Sequence, residues 1–250
     1  PIFSALDESE GSKAFVLHVM DENGTNSSIE QISFNQSHDF DPVVISSGEI
    51  VFSRWDNMGP GTGAAHLYKM MPDGSNLQLL YGGHSHDTGT AGSTIQFMQP
   101  RPLPNGRVIA IIQPFSGTFG GGNIVEVDTS TYIDNDQALA FYQGTLTGPA
   151  QVAATLNNVI TDGSPSPAGR YSSAFPLWDG TNRMLVSKSF CSLDVGGTTR
   201  ACIDPWLSDP AAQELPPDYS IWVYDLGSDT EKPIVPAEPG VIMTDVVAVQ

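Results

Sequence analysis

Four of the five histidines lie between positions 38 and 86, and several of them are close to carboxylates. His38 is near Asp41, and His84 and His86 precede Asp87. Imidazole nitrogens and carboxylate oxygens are ligands for zinc and for other divalent ions. The spacing therefore predicts a divalent-metal site made of these five residues. The alternative is that they are hydrogen-bonded loop residues, because Asp before Pro commonly forms a turn.

A second group of acidic residues indicates calcium as an alternative ion. Asp128, Asp134 and Asp136 offer oxygen ligands of the kind that calcium prefers. They lack the spacing and the final Glu of an EF-hand loop, so solvated turns are the alternative interpretation. The cofactor that the sequence predicts is therefore a divalent metal, either zinc or calcium.

Motifs for other chemistry are missing from the sequence. It contains no Gly-x-Ser-x-Gly motif of the hydrolase type, and its 28 acidic residues do not single out a pair for sugar hydrolysis. The glycine-rich run 116–123 lacks the Gly-Lys-Ser/Thr of a phosphate-binding loop. The sequence therefore favours a domain that is not catalytic on its own. The alternative is a metal-dependent enzyme that uses the histidines and aspartates of the predicted metal site.

The charge of the chain limits its partners. The 28 Asp and Glu against 10 Lys and Arg give a formal net charge of −18 over 250 residues. Such a surface repels phosphate backbones and anionic lipid, so we expect no nucleic-acid partner. We expect instead a protein partner or other domains of a longer chain. The longest apolar stretches, such as 108–112, are far shorter than the ~20 residues that span a bilayer, which predicts no transmembrane segment.

The two cysteines, Cys191 and Cys202, are eleven positions apart in a Gly- and Asp-rich stretch. This arrangement predicts a disulfide that closes a loop, and the alternative is two free thiols in a cytosolic protein. The sequence begins at Pro1 without an initiator Met, so we expect that a leader was removed or that the chain is part of a longer protein. Together these features predict a periplasmic, secreted or cell-surface bacterial protein.

One hairpin pattern recurs in the sequence. Residues 17–26 match residues 67–76 without a gap, and in each a β-rich run enters a tight turn that ends at Gly24 or Gly74. Glycine supplies the positive φ that such turns require. Each copy therefore predicts a β-hairpin.

A second hairpin pattern alternates with the first. Residues 41–52 match residues 99–110, so that Pro42 corresponds to Pro100 and Gly48 corresponds to Gly106. A third, looser copy starts at Ala174. Two independent hairpins that recur in a fixed order predict a repeated unit of four short antiparallel strands.

Repeated four-stranded units of this kind predict an all-β fold, specifically a β-propeller of about four blades or part of a larger propeller. One four-stranded sheet cannot bury both of its faces alone, whereas radial packing against its neighbours buries both. A β-sandwich is the alternative, but it does not predict gapless matches at fixed offsets. The chain is thus expected to be a single domain or fragment with a strand pair at 14–34, blades at about 40–82, 98–146 and 173–236, and the start of another blade at 245–250.

Insertions separate the hairpins. Short helices are predicted at 136–143, 149–160 and 209–215, the last because Asp209 and Pro210 suit a helix start. Glycine-rich loops are predicted at 57–65 and 192–201.

The sequence predicts different roles for three of the tryptophans. Trp178 and Trp222 lie at repeat positions and are predicted to be core residues. Trp206 lies in an insertion and is a candidate anchor for a partner.

The repeats resemble the β-propeller repeats of the TolB type, in the Asp-Pro at 41–42, the strand 48–54 and the strand with its Asp-Gly turn at 67–76. The longer form, with residues 99–106 after a His- and Gly-rich loop and with large insertions, more particularly resembles the middle domain of hydrazine synthase alpha-subunit-like proteins. That resemblance implies an extracytoplasmic scaffold or interaction domain, associated with a redox assembly in which haem-bearing or other domains accompany the propeller. The sequence has no haem motif, so the activity of that family is not implied here.

Overall fold

A computed structural model describes residues 14–24, 28–56 and 64–248. Its regular structure is almost entirely antiparallel β, with a 3-10 turn at Thr90–Gly92 and no α-helix in the described part of the chain. The predicted all-β class is therefore confirmed. No helix of these residues has the length and apolar character needed to cross a membrane.

The chain divides into two compact units, which we describe separately. The first unit comprises Pro1–His86, Gln96–Pro100 and Thr129–Ala150, and the second comprises Asp87–Ile95, Arg101–Asp128 and Gln151–Gln250.

The first unit contains a short strand pair and a four-stranded sheet. The pair is β1 (His18–Val19) with β2 (Glu30–Gln31). The sheet consists, in chain order and in spatial order, of β3 (His38–Val44), β4 (Ile50–Trp55), β5 (Ala65–Met70) and β6 (Gln78–Tyr81). Each strand pairs with the next in antiparallel register. Strand β4 is buried along its whole length, as its apolar sequence predicts for an internal strand.

The hairpin turns of this sheet depend on glycine. Gly48 and Gly74 have φ of +83° and +80°, and the N–H of each donates to a carbonyl three residues earlier. A Cβ at Gly74 would lie 2.4 Å from the carbonyl oxygen of Ile32, so a side chain does not fit there. The core of the unit consists of Leu17, Ile32, Ile50, Phe52 and Met70.

A second four-stranded sheet has the order β7 (Gln96–Pro102), β8 (Val108–Gln113), β9 (Asn123–Val127) and β12 (Gln151–Ala153). Between β9 and β12 the chain forms a small separate hairpin, β10 (Tyr132–Asp134) with β11 (Gln137–Ala138).

The helices predicted at 136–143 and 149–160 are wrong. Residues in the first segment pair with β10, and residues in the second pair with β9 as the outer strand. The fourth strand of this sheet consequently lies beyond the expected blade limit of residue 146. Backbone groups that pair with a neighbouring strand are not available for a helix, and here the pairing prevails over helical propensity.

The third four-stranded sheet has the order β13 (Arg170–Pro176), β14 (Arg183–Ser189), β18 (Ser220–Asp225) and β19 (Thr230–Val235). Between β14 and β18 an insertion forms its own three-stranded sheet from β15 (Ser192–Val195), β16 (Thr198–Ala201) and β17 (Gln213–Glu214).

This insertion corrects two expectations. Residues 192–201, predicted as a loop, form the hairpin of β15 and β16. Residues 209–215, predicted as a helix, make one turn in which the Asp209 carboxylate accepts the N–H of Ala211 at 2.9 Å, and then enter β17. The glycine-rich loop predicted at 57–65 falls mostly on residues 57–63, which lie outside the described residues.

Cys191 and Cys202 form a disulfide across the insertion. Both are buried with Leu193 in a small apolar cluster. An ion pair between Arg170 on β13 and Glu214 on β17 attaches the insertion to the third sheet. The disulfide and the apolar cluster therefore hold the insertion together, and the ion pair connects it to the sheet.

The main core of the second unit joins side chains of β8, β9, β13, β14 and β18. Its buried members are Leu103, Ile109, Ile111, Ile124, Val159, Tyr171, Ala174, Met184, Val186 and Tyr224. These strands are thus positioned by one continuous apolar cluster.

The end of the described chain lies against β13 and β14 without forming a strand. The Ser172 hydroxyl donates to the Thr244 carbonyl at 3.1 Å, and the Ser187 hydroxyl donates to the Met243 carbonyl. The strand predicted at 245–250 is therefore not formed by residues 245–248, and residues 249–250 lie outside the described residues.

Candidate functional site

His38, the first predicted metal ligand, lies in a cluster of aromatic rings on β3. It is buried, and its ring stacks on Trp55 at a centroid distance of 5.5 Å and an interplanar angle of 10°. The N–H of Phe15 donates to His38 Nδ1 at 3.1 Å. These contacts give His38 the surroundings of a core residue.

Asp41, the second predicted ligand, has both carboxylate oxygens engaged by one residue. The Gln99 backbone N–H donates to Oδ2 at 3.1 Å, and the Gln99 side-chain amide donates to Oδ1 at 3.0 Å. Both residues have positive φ, +53° and +54°. The carboxylate thus connects two parts of the first unit.

The loop that carries His84 is held by Asp134, one of the predicted calcium ligands. The His84 N–H and the Ser85 hydroxyl donate to Asp134 Oδ1 at 2.7 and 2.9 Å, and the Asn135 N–H donates to Ser85 Oγ at 2.8 Å. Asp134 is buried, whereas His84 and Asp87 are exposed. The carboxylate of Asp134 therefore has a clear structural role in this loop.

A row of interacting polar groups lies across three strands of the first sheet. Asp39 on β3 pairs in register with Arg54 on β4, and Arg54 pairs in register with His66 on β5. Residues directly opposite on adjacent strands share a face of the sheet. Arg54 Nε lies 3.5 Å from Asp39 Oδ1 and 3.3 Å from Asp56 Oδ1, so it contacts carboxylates on either side.

His66 connects this row to a second histidine. Its Nε2 lies 3.2 Å from Asp56 Oδ2, and its Nδ1 lies 3.2 Å from His86 Nε2. The Tyr68 hydroxyl, two residues further along β5 on the same face, donates to Asp56 Oδ2 at 2.7 Å. Asp56, His66 and His86 therefore form a continuous hydrogen-bonded chain, with Tyr68 as an additional donor. We call these four residues the histidine chain.

Burial and charge shift the pKa values of the acidic groups in and beside the histidine chain in different directions. Burial raises the pKa of Asp39, although Arg54 acts against this rise. Burial also acts to raise the pKa of Asp56, but hydrogen bonds from His66 and Tyr68 outweigh it and lower the pKa. Burial and the bond to Asp56 together raise the pKa of Tyr68 to about 12. Asp56 is thus a stable anion and Tyr68 a stable neutral donor at neutral pH.

This geometry suits proton transfer along a line. A carboxylate fixes the orientation of an imidazole, and the other ring nitrogen then exchanges a proton with its neighbour. His66 has one nitrogen directed at Asp56 and the other at His86, so the three groups do not converge on one point. Among the described residues no group of three or more His, Cys, Asp or Glu side chains is arranged to hold a metal ion.

The sequence contained a partial signal for the histidine chain. His66 and Tyr68 alternate with apolar residues on β5, which places both on one face of the sheet. His86 is one of the predicted metal ligands, but Asp56 and His66 are not. Asp56 and His66 come together only when β4 and β5 pair, which the sequence alone does not show. Contacts between residues ten or more positions apart can be predicted only when the strand register is known.

Open cavities lie in the described part of the second unit. One, of about 280 Å³, is lined by Trp178 and Arg183 among others, and one, of about 330 Å³, is lined by Phe190 and Trp222 among others. Trp222 also packs against the core, as predicted, but Trp178 is 47% exposed and the prediction that it is a core residue is wrong. Trp206 is half-buried in the insertion, with the Arg200 guanidinium 4.9 Å above its ring.

Comparison with known proteins shows a similarity of fold to a solved structure, but no matching family. No protein-family model matches the sequence, and no curated protein matches it. Among solved structures, the chain is similar to hydrazine synthase of Kuenenia stuttgartiensis, with a TM-score of 0.53 and 20% sequence identity. The similarity covers 85% of this chain and 21% of that chain, so the chain spans about a fifth of the length of the protein that it matches. The expected resemblance to hydrazine synthase is supported in fold, whereas the TolB-type repeats stay a prediction.

Proposed function

We propose that the chain is an extracytoplasmic β-propeller segment that binds other protein domains and is not catalytic on its own. Its four-stranded antiparallel sheets are the blades, and the connecting loops and insertions provide the contacts. The partner is a further domain of the same protein or a separate subunit, in an assembly related to hydrazine synthase.

The observation that carries this proposal is the extent of the fold similarity. The similarity covers 85% of this chain and about a fifth of a much larger chain. A unit of this size within a larger protein commonly works beside other domains, which it orders and contacts. The sequence repeats support blades, because two hairpin types alternate in both the sequence and the sheets.

Charge and covalent structure support the proposed location and partner. A disulfide is typical of proteins in oxidising compartments. The net charge of −18 favours a partner with a basic surface and disfavours nucleic acid. Exposed aromatic side chains such as Phe141 and Phe190 add apolar contact area.

Light scattering after size-exclusion chromatography tests this proposal directly. The purified chain, of 26.6 kDa, is mixed with each protein or domain encoded on the same or a neighbouring gene. We expect one of them to give a complex whose mass is the sum of the two, and to dissociate more readily at high salt. A chain that stays at its own mass with every candidate, or that turns over a substrate alone, would overturn the proposal.

A metal-dependent enzyme is the second candidate function. The observation that favours it is the 3.2 Å contact between His66 Nδ1 and His86 Nε2, since imidazole nitrogens are ligands for zinc, although these residues do not gather three ligands around one point. Binding would require His66 to exchange one of its hydrogen bonds for the metal. Elemental analysis of the purified chain decides: stoichiometric zinc or calcium that is lost in His66→Ala supports this candidate, and metal-free protein eliminates it.

A further inference from the structure

The cavity of about 330 Å³ in the second unit is formed by aromatic and proline side chains. It lies where β14, β18 and β19 meet the start of the insertion. Phe190 and Trp222 form its aromatic wall, Pro233 and Pro236 lie on the side of β19, and Asp218 supplies a carboxylate. We call it the Phe190 cavity. None of the described residues that line it is Lys or Arg.

The two aromatic rings stand nearly perpendicular. Their centroids are 5.4 Å apart with an interplanar angle of 83°, and Phe190 is 56% exposed. The Trp222 indole N–H donates to Ser220 Oγ at 2.8 Å, so its polar group is satisfied within the protein. What the rings offer to a ligand is therefore their π surface. Such surfaces attract cations and planar groups.

The charges around the Phe190 cavity favour a cation. Two lysines lie near the cavity: the Lys188 ammonium is 5.1 Å from the Phe190 ring centroid and is neutralised by Glu231 at 2.5 Å, and the exposed Lys232 precedes the lining residue Pro233. Asp218 is exposed, so its charge faces solvent. One carboxylate beside two aromatic rings, in a chain with a net charge of −18, is complementary to a positively charged side chain.

The chain has no arginine of its own to offer to this cavity. Its six arginines are all engaged elsewhere. Arg200 lies over Trp206, and the other five contact carboxylates, namely Arg54, Arg101, Arg107, Arg170 and Arg183. An arginine that enters the Phe190 cavity would therefore come from another molecule.

We propose that the Phe190 cavity receives an arginine side chain from an extended, basic segment of a partner protein. A guanidinium group is planar, stacks on aromatic rings and forms paired hydrogen bonds with a carboxylate, here Asp218. The proline side chains add apolar surface against which the aliphatic part of an arginine side chain packs. This inference rests on the proposed function and specifies the chemistry of one contact in it.

Peptide titration measures this contact. Calorimetry compares three peptides, acetyl-Gly-Pro-Xaa-Pro-Gly-amide with Arg, Lys or Gln at Xaa. We expect the Arg peptide to bind more tightly than the Lys peptide and the Gln peptide to bind the weakest. Asp218→Asn and Phe190→Ala should each weaken Arg-peptide binding by about fivefold, the effect of losing one exposed ion pair or cation–π contact. Both residues are exposed, so both variants should fold, which circular dichroism verifies.

Trp178→Ala is the matched control, because Trp178 is a similarly exposed tryptophan that lines the other cavity. It should change Arg-peptide binding by less than about twofold. Equal binding of the Arg and Gln peptides, unchanged binding in Asp218→Asn, or no binding of any peptide would overturn the inference. If partner binding in light scattering persists in Phe190→Ala and Asp218→Asn, the proposed function stands and this inference fails.

Discussion

The carboxylate of Asp41 accepts two hydrogen bonds from Gln99, one from its backbone N–H and one from its side-chain amide. The two residues are 58 positions apart and correspond to one another in the repeated proline hairpin. Each has a positive φ and each precedes a proline. Equivalent positions of two successive repeats are thus in direct contact. Few side chains tolerate this conformation, and Asp and Asn tolerate it best.

Removing the Asp41 carboxylate should destabilise the first unit. We expect Asp41→Ala to lower the free energy of unfolding by about 2 kcal/mol, because two hydrogen bonds to a charged acceptor are lost and Ala is strained at positive φ. Asp41→Asn keeps an acceptor and the conformational tolerance, so its effect should be less than half as large. Urea denaturation measures both. Equal effects of the two variants would contradict the assigned role of the carboxylate.

The correspondence of Asp41 and Gln99 was visible in the sequence, whereas their contact was not. Matching proline and glycine positions predicted two hairpins of the same type, because these residues restrict φ locally. The hydrogen bonds depend on how the two hairpins are placed in space, which no local pattern specifies. For the same reason the turns at Gly48 and Gly74 were predictable, but the outer strand at 151–153 was mistaken for a helix.

Asp56→Asn tests the electrostatics of the histidine chain. The variant keeps the shape of the side chain but loses the charge that accepts hydrogen bonds from His66 and Tyr68, and we expect a loss of about 1 kcal/mol in unfolding free energy at pH 7. Because these bonds lower the pKa of Asp56 in the folded protein, the charge contributes stability above the unfolded pKa of about 4. That contribution disappears as the pH falls through the lower, folded pKa.

The difference between wild type and Asp56→Asn should therefore shrink below about pH 4. Urea denaturation at several pH values measures it. Asp21→Asn, a change at an exposed aspartate, is the control and should show little difference at any pH. A difference that persists unchanged at pH 2 would contradict the role given to the charge.

The predicted metal ligands show what sequence proximity does and does not reveal. His84, His86 and Asp87 are neighbours in the chain, but His86 alone joins His66, because only its ring reaches β5. His38 lies on β3 and is buried with aromatic rings. Residues 84–87 lie in turns, which do not fix a common direction for neighbouring side chains, so a cluster in sequence is a weak indicator of a cluster in space.

Breaking the disulfide should loosen the insertion more than the rest of the second unit. Replacing Cys191 and Cys202 together by Ser is expected to cost about 2–3 kcal/mol, from the entropy of the loop that the bond closes and from polar atoms placed in an apolar cluster. Hydrogen exchange should rise first in β15, β16 and β17. A reductant should weaken the wild type to a similar extent and leave the double variant unchanged. Unaltered exchange in the insertion would contradict this.

Glu231→Gln tests the buried ion pair below the Phe190 cavity. The Lys188 side chain is 2% exposed and lies 2.5 Å from Glu231, so removal of the anion leaves an uncompensated ammonium in the interior. We expect a loss of at least about 2 kcal/mol in unfolding free energy.

Glu49→Gln, which breaks the more exposed pair with Lys69, should cost less than about 1 kcal/mol. The double variant Lys188→Met/Glu231→Gln should recover much of the loss, since no buried charge remains. Equal losses in Glu231→Gln and Glu49→Gln, measured by urea denaturation, would show that burial does not determine the strength of the Lys188 pair.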